Sequence, residues 1–129
     1  MYEFGLTLKK PFEQALEQVR QVLMDNQLGI VSDVDVQATL KNKIGKEIPS
    51  YRILGACNPV LADRVLEAEP NAGTLLPCNL ILRAVSDNET VVSFMDPVAV
   101  LGLSDSAEVR AVAVEARAKL DQVVAQLKN

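Results

Sequence analysis

Residues Leu75–Pro97 read "LLPCNLILRAVSDNETVVSFMDP", and this stretch decides the fold. Two runs rich in aliphatic and β-branched residues flank Ser86-Asp87-Asn88-Glu89. That composition marks strand, tight turn, strand. A hairpin joins antiparallel neighbours, whereas parallel neighbours need a long crossover. The first run is apolar on both faces in its middle, at Leu80–Leu82, which fits a covered sheet or a subunit contact.

Upstream, "YRILGACN" reads as the third strand. Asn58-Pro59 then signals a helix start, with Asn as N-cap and Pro at the first helical position. The helix Val60–Glu69 follows, with Leu61, Val65 and Leu66 apolar; Pro70 stops it, and "PNAG" is turn chemistry. At the N-terminus, Tyr2–Leu8 alternates as a strand, with Tyr2, Phe4, Leu6 and Leu8 on one face. Pro11 sits in the first turn of a helix that runs to about Asn26 and ends at Leu28-Gly29. Its stripe is Phe12, Leu16, Val19 and Leu23, widened by Ala15 and Val22. "GIVSDV" is the second strand. Asp35 caps a short helix with Val36, Leu40 and Ile44 on one side and Gly45 at its left-handed stop. Downstream, Asp96-Pro97 ends the fifth strand and a short apolar link follows. The last helix is predicted over Ser104–Lys128, with Asp105 and Glu108 as a capping box. Its stripe is Val109, Val112, Ala116, Leu120, Val123 and Leu127.

The order predicts one α+β domain over residues 1–129. Its sheet is mostly antiparallel with five strands, two long helices pack on one face, and two short helices connect strands. "PFEQALEQVRQVL", "VDVQATLKNKIG", "YRILGACNP", "LLPCNLIL" and "MDP" occur in an order and spacing similar to the domain of unknown function 302 family. The similarity spans nearly the whole chain. It implies a TATA-binding-protein-like α+β fold in small, homodimeric bacterial or archaeal proteins, and no established activity. A fold shared with a DNA-binding protein carries no function by itself.

The composition narrows the chemistry. The 129 residues contain no histidine, which removes the commonest general base and metal ligand. Cys-X-X-Cys is absent, and so are a P-loop and a Gly-rich dinucleotide fingerprint. Net charge is −4, the basic residues are dispersed, and there is no tryptophan to stack on bases. Nucleic acid and anionic membranes are therefore not expected partners. The densest basic group, Lys41, Lys43 and Lys46, reads as a solvated helix face. The N-terminus carries charge early and does not read as a signal peptide, and no apolar run approaches a membrane span. Two cysteines without an export signal are expected to be reduced thiols in a cytoplasm.

What remains is a possible convergence. Both cysteines precede asparagine, in Cys57-Asn58 and Cys78-Asn79. If the last three strands are neighbours in sequence order, these pairs and Met95-Asp96 meet at one end of the sheet. Those six residues are the candidate ligand or thiol site. Alternation leaves open whether Cys57, Cys78 and Met95 share a face. Core packing is the preferred reading of the thiols, since free cysteine is among the most buried residue types. A thiol-dependent enzyme or redox sensor using Cys57 with Cys78 is the alternative, because the helix starting after Asn58 could lower the Cys57 pKa. Cu(I) binding by Cys57, Cys78 and Met95 is the second alternative. Asn58 is read first as a helix cap, Asp96 as a turn former and Arg52 as a solvent-facing strand residue. The function expected is a non-enzymatic small-ligand or interaction module acting as a homodimer, without a cofactor.

Overall fold

The computed structural model describes residues Met1–Lys128. The strands are β1 (Glu3–Leu8), β2 (Gly29–Asp35), β3 (Tyr51–Cys57), β4 (Cys78–Ser86) and β5 (Glu89–Met95). The helices are α1 (Phe12–Asp25), α2 (Val36–Ile44), α3 (Pro59–Ala68), α4 (Pro97–Leu101) and α5 (Ala107–Leu127), with a 3-10 helix at Pro70–Leu75. The sheet order is β1-β5-β4-β3-β2, and every pairing is antiparallel.

The two helical stripes bury as their spacing predicts. Phe12, Ala15, Leu16, Val19 and Leu23 of α1 are buried, and so are Val112, Ala116, Leu120, Val123 and Leu127 of α5. The main core sets these helices against Leu54, Leu80, Leu82, Val92 and Phe94 from the central strands. A second, smaller core lies between α3, α4 and the first half of α5, around Leu61, Val65, Leu101 and Val109. Arg64 ties α3 to α5, reaching Glu108 at 2.6 Å and Glu115 at 2.7 Å.

Several local details differ from the sequence expectation. Pro11 is the N-cap of α1 and not part of its first turn. That helix closes through Gln27, a non-glycine residue at φ 58°, with the Leu28 N–H donating to Leu23 O. Tyr2 lies outside β1 and is exposed. "PNAG" forms the start of the 3-10 helix, not a simple turn. The apolar link after Asp96 is itself a helix, α4, opened by the same cap-then-proline pair as α3. The cap of α5 is Ser106, whose hydroxyl accepts from the Val109 N–H, and not Asp105. Among the described residues, no helix is long and apolar enough to cross a membrane.

The helices cover one sheet face only. The other face carries Ile53 and Tyr51 of β3, Asn79, Ile81 and Arg83 of β4, Val91, Ser93 and Met95 of β5, and Glu3 and Gly5 of β1. Their parity follows from the register and from the burial of the alternate residues.

Candidate functional site

The pairing of Ala56 with Cys78 brings the end of β3 beside the start of β4, so the two thiols are near neighbours. Both are free and half-buried. They line a cavity of about 30 Å³ whose wall is apolar apart from Asn58, and includes Leu61, Val65, Leu101 and Val112. That space admits a water or two, not a substrate.

Burial pushes the Cys57 thiol above its ordinary pKa. Cys78 is pushed up to about 11, first by burial and then by the neighbouring Cys57. The helix-start argument for an acidic Cys57 therefore does not carry. Asn58 already occupies that helix end: its Oδ1 accepts from the Leu61 N–H at 3.1 Å, and its Nδ2 donates to Gln27 O at 3.1 Å. A thiol held above its unfolded-state pKa favours the folded state while both forms are protonated. That contribution is lost as pH rises through the ordinary thiol range toward about 11. Native alkylation at pH 8 is accordingly expected to be slow at both cysteines and slower at Cys78, becoming fast in denaturant. Thiol-specific labelling followed by peptide mass analysis measures this; rapid native labelling of Cys57 would contradict it.

Met95 is not with the thiols. Leu80 pairs with Phe94 on the helix-covered face, so Met95 points to the open face. There it lines a groove together with Asn79. Asp96 accepts from the Val98 N–H at 2.9 Å as the cap of α4, and its other oxygen lies 2.8 Å from Arg117. The Arg117 guanidinium sits 3.7 Å over the Phe4 ring, and its Nε donates to Asp121 at 2.9 Å. Asp96 is thus committed to holding α4, α5 and β1 together. Arg52 pairs with Asp33 at 2.9 Å and with Asp35 at 3.6 Å. Of the six candidates, Cys57 and Cys78 converge, Asn58 and Asp96 cap helices, and Asn79 and Met95 face the other side of the sheet. Among the described residues no three Cys, Asp or Glu side chains are grouped to hold a metal ion.

Of the open-face residues, sequence reasoning singled out Asn79 and Met95 as candidates and passed over Arg83. The groove on this face has a volume of about 470 Å³ and is lined by Tyr51, Ile81, Arg83, Val91 and Met95 among others. The alternation of Asn79, Ile81 and Arg83 was the available signal, but a strand with mixed polarity on one face resembles any solvated strand.

A five-stranded antiparallel open sheet backed by helices makes this an α+β protein. The sequence profile of the family described as domain of unknown function DUF302 matches residues 4–127, and the chain belongs to that family. It is also similar to the crystal structure of an uncharacterized conserved DUF302 protein from Bacillus stearothermophilus. The TM-score is 0.88 at 20% identity over 98% of each chain, which is a likeness of fold. Comparison with curated proteins finds no match.

Proposed function

We propose that the chain is a non-enzymatic interaction module that acts as a homodimer, joined through α2 and the edge strand β2. One observation carries the reading: α2 has no buried residue. A nine-residue helix is too short to persist on propensity alone, because nucleation is costly and tertiary packing normally supplies helical stability. Its caps are in place, with the Asp35 side chain accepting from the Ala38 N–H and Gly45 in the left-handed conformation. Yet Val36 and Leu40 are only half-covered, and Ile44 is 69% exposed. Beside α2, Val31 and Val34 of β2 are 64% and 46% exposed. β2 is an outer strand of the sheet, with one row of backbone groups free to pair.

A second copy suits this surface because an outer strand and an exposed apolar helix face can each meet their own copy across a two-fold axis. Such a contact is isologous and closes after two subunits. Both thiols are unpaired, which suits a reducing cytoplasm. We further propose that the fold is TATA-binding-protein-like, as the family resemblance implies.

Sedimentation equilibrium tests the reading. The expected mass is twice the 14.0 kDa of one chain, falling to 14.0 kDa in Ile44→Asp with an unchanged circular dichroism spectrum. A monomeric unaltered protein, or a variant that stays dimeric, would count against it.

A further inference from the structure

We infer that the open sheet face binds a small organic anion with a flat apolar body, and that Arg83 holds its charged group. The inference goes beyond the dimer reading and does not use its surface. The chain has six arginines. Arg20, Arg52, Arg64 and Arg117 pair with carboxylates. Arg110 donates to the carbonyls of Ser104 and Asp105 at 3.2 Å each. Among the described residues Arg83 is the one arginine with neither an ion pair nor a side-chain hydrogen bond.

Its position is specific. Arg83 pairs with Tyr51 on one side and with Val91 on the other, so its side chain leaves the sheet on the same face as an aromatic and an aliphatic neighbour. Ile81 lies two residues along on the same face. Two adjoining grooves, of about 470 and 500 Å³, share Arg83 as a wall. Gly5 forms part of the second floor, where a side chain would collide with the backbone carbonyl of Val92. Both grooves are open to solvent, and they combine apolar walls with a few placed polar groups, as small-molecule sites do. Among the described residues the one carboxylate lining the two grooves is Glu3, which accepts from the Ser93 hydroxyl. A guanidinium presents a planar fork that matches a carboxylate or sulfonate two bonds at a time. The apolar floor around it selects an anion that carries a flat hydrocarbon portion over a bare inorganic ion.

The test uses 2-naphthoate as probe, naphthalene-2-methanol as its neutral counterpart and inorganic phosphate as the bare anion. Binding is followed on the full chain by amide chemical shifts. We expect 2-naphthoate to shift Ile81, Arg83, Val91 and Ser93 and to bind at least tenfold more tightly than the alcohol. Phosphate should not displace it. Arg83→Gln should weaken naphthoate at least tenfold and leave the alcohol unchanged, and Arg83→Lys should retain part of the affinity. The acid-to-alcohol ratio on the unaltered protein stands even if a variant fails to fold. Equal binding of acid and alcohol, shifts confined to other surfaces, displacement by phosphate, or no binding at millimolar probe would each overturn the assignment.

Discussion

Phe94→Ala is expected to destabilise the protein by about 3–5 kcal/mol, the range for removing a large aromatic from a core. Phe94 is fully buried in the centre of the sheet's covered face. Its ring stacks on Phe4 with centroids 5.7 Å apart. Phe4 in turn lies beneath Arg117, which the Asp96 carboxylate anchors at 2.8 Å. Truncation leaves a cavity and also withdraws the platform on which that arrangement sits. The change should appear as a lower urea midpoint with an unchanged slope, the sign of altered stability in an intact two-state transition. A midpoint within error of the unaltered protein would show that Phe94 is not core.

Leu120→Ala is expected to cost about 2–5 kcal/mol by the same measurement. Leu120 is 3% exposed and belongs to the cluster that joins α5 to α1 and the sheet. Leu120→Met keeps most of the volume and should cost less than about 1.5 kcal/mol. Equal losses for the two variants would mean that shape, not burial, dominates at that position. A neutral Leu120→Ala would put the wrong face of α5 against the sheet.

The stripes of α1 and α5 were legible because a helical period is a local property of the sequence. Helix α4 was not, since five residues are too few to show a period. Its start signal, Asp96-Pro97, was nevertheless the same chemistry as Asn58-Pro59, which was read correctly. The α5 cap turned on Ser106 against Asp105, two residue types that cap equally well until backbone angles choose between them.

The six candidate residues divide between the two sides of the sheet for a different reason. Counted back from the hairpin, Ser86 pairs with Glu89, and an unbroken ladder would set Met95 opposite Leu80, on the face of Cys78. The register shifts between Ala84 and Ser86. A slip of one residue exchanges faces, and so Met95 parts from the thiols. No residue at positions 84–86 announces that bulge. Arg83 was illegible for a related reason. Whether an arginine has a partner depends on which acidic residues the register places beside it, and register is a long-range property.

Helix α2 is proposed above as an interface helix covered by a second copy, and amide hydrogen exchange on the unaltered protein and on Ile44→Asp distinguishes a covered helix from an exposed one. A dimer joined at α2 and β2 should protect the amides of Val36–Ile44 and the outer edge of Gly29–Asp35 in the unaltered protein. That protection should be lost in the variant while Leu80–Leu82 and Val91–Phe94 keep theirs. Fast exchange along α2 in both proteins, with β4 and β5 equally protected, would contradict the account and leave α2 a solvent-exposed helix.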